Sequence, residues 1–405
     1  MTPAEQYARN AYAHVTHLAE TIGGRGSCSP QERQAAAYGV QQMRELGVAR
    51  VRSEPFGGAP STYRPYALAF VAALLGTCLA WLGGRTALIL AALLSGLGTW
   101  GMLAESDFAG NWTRWLLPDG ESQNVVGIVP AAERPARRVV LSAHLDTHRT
   151  PIFYSSAVWQ RLFSLLVGLS FVNMAVSALL CLLGAAIGWS GVRWIGLAAA
   201  ALELFALSMC LHADFTPFSP GANDNGSGVG SVLALAARLV PEPLRHTEVW
   251  LLLTGCEEAA AYGMAAFLDA HGDELRDAIL VVLDQVGMGQ VSTPLPEGLI
   301  IRRRPHPEIL ALARRVAEAY PELGFREHVG AAYTDAAVAH KRGFQALSLD
   351  AMPAAGATQA HWHQMSDTPE HVAMETLRDV HLFVWEMLLG IDEGSVSTDA
   401  ERISG

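Results

Sequence analysis

An α/β fold joined to a set of membrane-crossing helices is what this 405-residue chain predicts, and three observations lead there. Three short apolar runs, at 139–143, 249–253 and 279–283, read as buried strands, and each runs into polar groups: His144, Glu257 and Asp284. A glycine-rich turn at 221–228 leads into an apolar helical stretch at 229–239. Four much longer apolar stretches, at 66–82, 86–103, 162–188 and 192–211, account for 51% hydrophobic residues and a positive mean hydropathy despite a net charge of −11. Polar groups thus gather at the carboxyl ends of strands, the edge where ligands bind in open α/β sheets.

The first element is a helix. Ser29 reads as its N-cap, Pro30 takes the first helical position, Glu32 closes the capping box and Gly47 stops it. Residues 48–55 and 124–129 read as strands. Of the long stretches, the first two are joined by Gly83-Gly84-Arg85 and the last two by Trp189-Ser190-Gly191, which makes two helical hairpins. Each stretch approaches or exceeds the roughly 17–25 residues that cross a bilayer. In water, four such helices would expose far more apolar surface than the few hundred Å² (about 300–600) found on monomers. Arg64, Arg114 and Arg161 flank the spans, and Trp81, Trp100, Trp189 and Trp194 lie near their ends as interface anchors. Glu203 falls in the middle of the fourth span, opposite Ser177 and one turn from Asn173, and reads as a polar clasp between helices.

After Asp284 come a polar stretch at 294–305, a helix at 307–320, a last amphipathic helix at 374–389 and a small polar tail at 392–405, expected to be mobile. The organisation expected is one catalytic domain in three pieces, 1–65, 105–161 and 214–391, interrupted by hairpins at 66–104 and 162–213.

Five groups with metal-binding chemistry follow one another: His144 with Asp146, Asp224, the pair Glu257 and Glu258, Asp284, and His363. Two divalent ions roughly 3.5–4 Å apart need a carboxylate to bridge them and further oxygen and nitrogen donors to hold each. Asp224 suits the bridge, because its glycines let the backbone bend tightly and the following helix offers free N–H groups to orient a carboxylate. Together the groups suggest a two-metal hydrolase. There is no basic groove with aromatic platforms, so nucleic acid is not an expected partner. Cys78, Cys181 and Cys210 lie in the spans, leaving Cys28 and Cys256, and no disulfide framework is implied.

These motifs resemble the co-catalytic dizinc aminopeptidase family, zinc exopeptidases related to leucyl aminopeptidase, glutaminyl cyclase and glutamate carboxypeptidase II. The matching residues are His144-Leu145-Asp146, Asp224 within GANDNGSG, Glu257 and Glu258 within TGCEE, Asp284, and His363 four residues before Asp367-Thr368. Ile22-Gly23-Gly24-Arg25-Gly26 and Thr334-Asp335 with residues 343–347 resemble further family segments. The resemblance implies a mixed β-sheet flanked by helices. It implies one ion, zinc by preference, on His144, Asp224 and Asp284 and a second on Asp224, Glu258 and His363, although a carboxylate-rich site also suits cobalt or manganese. It leaves Glu257 as the general base acting on a water between the ions, and Asp146 accepting the other ring N–H of His144. Ala336, Trp362 and Gln364 depart from the family pattern, and His148, His340 and His361 read as surface or supporting histidines rather than ligands.

The second hairpin is inserted between His144 and Asp224. The nine residues from Phe215 to Asp224 reach at most roughly 30 Å, so the ions are expected near the membrane face. Peptides or amphiphilic amides arriving at that surface are the expected substrates, with the lipid bilayer as partner. The N-terminus shows no cleavable signal peptide. Arg44, Arg50, Arg52, Arg64, Arg114, Arg134, Arg137, Arg138, Arg149 and Arg161 fall on the catalytic side, whereas the hairpin tips carry only Arg85 and Arg193, which puts the catalytic domain on the cytoplasmic side. Three functions fit: a membrane-bound aminopeptidase, an amidase or carboxypeptidase acting on N-acyl amino acids or lipid-linked amides, and a catalytically inactive membrane scaffold.

Overall fold

The computed structural model describes residues 2–189, 191–353 and 359–394. The expected tail therefore falls outside the described residues from 395 on, as does Ser190 of the second hairpin turn. The chain forms two compact units, Met1–Pro60 with Gly120–His148 and Phe218–Gly405, and Ser61–Asp119 with Arg149–Pro217.

The first unit is built on a mixed sheet. In chain order its strands are β1 (Ala49–Gly58), β2 (Gly120–Val129), β3 (Arg137–His144), β4 (Thr247–Thr254), β5 (Ile279–Leu283), β6 (Gln290–Pro294), β7 (Arg326–His328) and β8 (Gln345–Met352). They lie in the order β1-β2-β4-β3-β5-β8-β6-β7. The four central strands, β4, β3, β5 and β8, run parallel; β3, β4 and β5 carry near-continuous apolar runs covered on both faces, whereas β8 interleaves Ser348 and Asp350. Leu141, Leu251 and Val281 are wholly buried there, and truncating one such leucine to alanine costs about 2–5 kcal/mol. β1 and β2 join antiparallel at one side, while β6 and the three-residue β7 close the other.

Helices Pro30–Glu45, Gly228–Leu239 and Met374–Asp392 pack on the sheet, and Tyr262–His271 and Asp335–Lys341 form a separate pair that also packs on it. The Gly228–Leu239 helix is almost entirely buried, as its unbroken apolar sequence requires. In the helix Pro30–Glu45, Ser29 caps as expected, its hydroxyl accepting from the Glu32 amide at 3.2 Å. Glu32 does not close the box onto Ser29. Its carboxylate accepts the amides of Cys28 at 2.9 Å and Cys256 at 2.7 Å, tying the helix start to the chain beyond β4. A helix that the sequence reading left unassigned, Pro3–Thr16, begins with a complete capping box between Thr2 and Glu5.

Among the described residues, the second unit holds four helices long and apolar enough to cross a membrane by length and composition: Arg64–Leu82, Arg85–Ser106, Ala157–Ile187 and, from Gly196, the helix Val192–Asp214. The first two approach closely through small residues. A Cβ on Gly98 would sit 2.6 Å from the Ala69 carbonyl, and one on Gly76 would sit 2.8 Å from that of Ala91. Along Ala157–Ile187, Leu165, Val172 and Leu179 repeat every seven residues and are each more than half exposed. Trp81 meets Trp194 edge-on at 5.4 Å, and Trp100 meets Trp115 at 6.2 Å. Glu203 accepts from Asn173 at 2.9 Å and from Thr77 at 3.3 Å. The expected clasp is thus made through Asn173 and extends to Thr77 of the first hairpin.

Candidate metal centre

Parallel pairing sets three strand ends side by side. His144 ends β3 level with Thr254 of β4, and Ser142 lies level with Val282 of β5, so Glu257, Glu258 and Asp284 emerge beside His144 on one sheet edge. Asp224 arrives from the turn Ala222–Ser227, which three side chains fasten to the segment after β5. Asn223 Oδ1 accepts the Gly287 amide at 2.8 Å, Asn225 Oδ1 that of Gln285 at 3.2 Å, and the Ser227 hydroxyl that of Val286 at 2.9 Å. The turn requires glycine at Gly221, whose φ is +63° and where a Cβ would meet Thr147 at 2.2 Å.

Within this framework His144 Nε2 stands 3.2 Å from Asp224 Oδ1 and 3.5 Å from Asp284 Oδ1. His363 Nε2 stands 3.1 Å from Asp224 Oδ2 and 3.5 Å from Glu258 Oε2. The two oxygens of Asp224 therefore face two different histidine–carboxylate groups. Donors around a tetrahedral zinc, with bonds of about 2.0–2.1 Å, lie roughly 3.3 Å apart, and these spacings match that edge. Every one of these residues is buried.

Charge makes the same point. Burial pushes the Glu257 and Glu258 carboxyls well above the usual range, Asp284 and Asp335 adding to it for Glu257, and Asp224 and Glu257 for Glu258. Burial likewise raises Asp284 to about 6. Burial opposes a charge on His144, but Asp284 and bonds to Asp146, Asp224 and Asp284 outweigh it and hold its pKa well above the ordinary value. Burial also works against ionising Asp224, yet His144 and His363 keep it ionised, below the usual carboxylate range. A buried cluster this rich in carboxylates calls for cations.

Asp146 stands beside His144, as the sequence suggests, but its carboxylate has further donors. The ring Nδ1 of His144 lies 3.0 Å from Asp146's own carbonyl and 3.6 Å from its carboxylate. That carboxylate also accepts the amides of Glu257 at 3.0 Å and Glu258 at 3.1 Å and the Ser27 hydroxyl at 2.6 Å. The expected helix amides are not what holds Asp224: its backbone amide and that of Asn223 donate to Asp367, at 3.0 and 2.8 Å.

Arg25 is the residue whose part the sequence reading missed. Fully buried, its guanidinium donates to the carbonyls of Leu145, Leu18, Gly23, Pro220 and Gly221, joining the end of β3 to the Asp224 turn. Burial lowers its pKa to about 10, which leaves it charged at neutral pH. An arginine inside a run of glycines was the available signal.

Residues 203–388 match the sequence model of Peptidase family M28, a segment that contains Asp224, Glu257, Glu258, Asp284 and His363 but begins after His144. Aminopeptidase YwaD of Bacillus subtilis (strain 168) is 37% identical over 78 residues, a stretch that is 19% of this chain and 17% of that relative. The chain thus aligns with less than a fifth of the length of this curated relative. Among solved structures, BSAP, a zinc aminopeptidase from Bacillus subtilis, superposes with a TM-score of 0.56 at 16% identity, covering 95% of this chain and 94% of that one. A Bacteroides thetaiotaomicron glutaminyl cyclase gives 0.55 at 13% identity, covering 94% and 97%. At these identities the likeness is one of fold: the chain shares the mixed sheet flanked by helices with these two proteins.

Around this site the departures from the family pattern take definite places. Ala336 is buried beside Asp335, whose carboxylate accepts from Thr254 at 2.6 Å, and Trp362 tilts against His363 with centroids 4.6 Å apart. His340 lies 3.3 Å from Glu297, and His361 stacks on His371 at 3.8 Å. His148 differs from both, because its ring stacks on His363 at 3.7 Å and a donor atom lies within 4.8 Å of those of Glu258 and His363.

Proposed function

We propose that this protein is a membrane-bound, dinuclear metal-dependent peptidase acting as an aminopeptidase. The observation that carries the reading is the Asp224 carboxylate, one oxygen toward His144 and the other toward His363. His144, Asp224 and Asp284 would hold one ion and Asp224, Glu258 and His363 the other, zinc being the metal favoured. When bound, such ions polarise an amide carbonyl and acidify a water.

Glu257 moves the proton. Its Oε1 is buried and has no hydrogen-bond partner among the described residues, and burial raises its basicity. A carboxylate so placed takes a proton from water and hands it to the leaving amine. Asp146 keeps Glu257 and Glu258 in register by accepting both backbone amides. The three sequence pieces of the sheet unit form the catalytic domain, and the two hairpins are its membrane anchor. Four apolar helices and their tryptophan pairs support insertion in the bilayer, and the arginine distribution supports a cytoplasmic catalytic side. Peptides and amphiphilic amides reaching the membrane are the substrates this arrangement suits.

The test is metal content by mass spectrometry on detergent-purified protein, with hydrolysis of free and N-acylated aminoacyl amides by wild type and Glu257→Gln. About two zinc ions per chain, with turnover of free amines that the substitution abolishes while metal stays bound, is the expected result. Turnover of acylated substrates alone would make the protein an amidase, and neither metal nor turnover would make it a scaffold.

A further inference from the structure

We infer that Cys28 and Cys256 are a reversible redox pair whose disulfide slows the hydrolysis carried by the adjoining Glu257, the oxidant being a small disulfide such as oxidised glutathione. The inference rests on Glu257 acting as the base, as read above, and adds a means of regulating it.

Three observations support it. The two sulfurs lie 3.9 Å apart, and a disulfide of about 2.04 Å needs them to close by only roughly 1.9 Å. They share a niche that glycines leave open. A Cβ at Gly58 would lie 2.9 Å from the Cys28 sulfur and 3.1 Å from that of Cys256, and one at Gly120 would lie 2.7 Å from the Cys28 sulfur. Both backbones are fixed by one carboxylate: the buried Glu32 accepts the Cys28 amide on one oxygen and the Cys256 amide on the other, at 2.9 and 2.7 Å. Both residues also hold left-handed backbone, with φ of +61° and +55°, a conformation uncommon outside glycine. Cys28 is partly exposed and Cys256 wholly buried, so an oxidant meets Cys28 first.

The exchange proceeds in two steps. The Cys28 sulfur, its proton lost to solvent, attacks one sulfur of the small disulfide, forming a mixed disulfide and releasing one small thiolate, which regains a proton from solvent. The Cys256 sulfur then attacks the Cys28 sulfur, its own proton leaving with the second small thiolate. The pair is thereby oxidised by two electrons, and the small disulfide becomes two thiols. Closure acts on the site through both cysteines. Cys256 precedes Glu257, and Cys28 follows Ser27, whose hydroxyl donates at 2.6 Å to Asp146, the carboxylate that accepts the Glu257 and Glu258 amides at 3.0 and 3.1 Å. Oxidation also removes the hydrogen that Cys256 gives the Ala59 carbonyl at 3.2 Å. A shift of about 1 Å at a reacting group costs up to about 100-fold in rate. On the cytoplasmic side proposed above, the thiols are the resting state and the disulfide is a response to oxidation.

The experiment uses the full-length protein in detergent and zinc-containing buffer, with oxidised glutathione as the oxidant and tris(carboxyethyl)phosphine as the reductant. Hydrolysis of aminoacyl amides is measured reduced, oxidised and re-reduced, and thiols are trapped by alkylation at each stage for peptide mass spectrometry. A Cys28–Cys256 cross-link, with kcat lowered about 10–100-fold and restored on reduction, is the expected result. Cys28→Ser and, separately, Cys256→Ser should be equally active in oxidant and reductant. Trapping in the wild type needs no variant to fold, and absence of the cross-link there would overturn the inference. A cross-link that leaves kcat unchanged would overturn it too, as would an equal loss in the serine variants, which traces the loss to oxidation elsewhere. Wild type that hydrolyses nothing even when fully reduced would sink the peptidase reading together with the switch, whereas steady hydrolysis across all three stages would sink the switch alone.

Discussion

In the helical unit, Glu105 lies against Arg114 and Asn111, Asp214 against Ser61 and Arg64, and Glu203 against Asn173 and Thr77. Each buried carboxylate there meets its own donors. On the edge of the sheet, Asp224, Glu257, Glu258 and Asp284 crowd together with His144 and His363, and the nearest guanidinium, that of Arg25, spends its hydrogen bonds on carbonyls. The contrast separates two uses of buried charge. Matched charge joins helices, whereas unmatched charge in a framework rigid enough to hold it marks a place for cations and for proton transfer.

The comparison can be broken most directly at its centre. Asp224→Asn is expected to abolish binding of both proposed ions, read by metal analysis, because the two Asp224 oxygens face the two histidines; two retained ions would end the bridging role. Glu257→Gln should lower kcat by about 10²–10⁴ with metal content intact. If metal is lost with activity, Glu257 is a ligand and not a base. On the matched side, Arg114→Ala strands Glu105 and is expected to cost about 3–5 kcal/mol in detergent unfolding while zinc content stays unchanged.

A pH titration sharpens the contrast. Burial pushes Asp335 and Asp367 each to about 7. Their folded values lie above the unfolded value of about 4, so the stabilisation is fully present below about pH 4 and lost as pH rises through about 7. Metal-free protein should therefore lose Tm across that window, and zinc should restore it. A flat metal-free profile would argue that the sheet edge is as balanced as the helices. The smallest effect is expected for Glu203→Gln, which keeps an acceptor for Asn173 and Thr77 and should leave hydrolysis unchanged.

Much of the frame was legible because it rests on local rules. Parallel strands β3, β4 and β5 read as apolar runs since both their faces are covered, and Ser29 with Pro30 marks a helix start wherever it occurs. β6, β7 and β8 were not legible: Arg326-Glu327-His328 is polar and short, and its strand exists through pairing with β6. Glu32 shows the limit of a motif. Its spacing announced a capping box, yet tertiary packing offered it the Cys256 amide.

The sequence by itself determined which residues of metal-binding type the chain holds, the order in which they appear and which helices are apolar enough for a bilayer, because residue type and periodicity are local properties. Tertiary structure alone decided that Asp224 turns one oxygen to each histidine, that Asp146 supports Glu257 and Glu258 through their backbones, that Arg25 clamps two distant loops and that His148 stacks on His363. Those relations join residues tens to hundreds of positions apart, and their distances are set by strand order, turn geometry and packing, which no local pattern encodes.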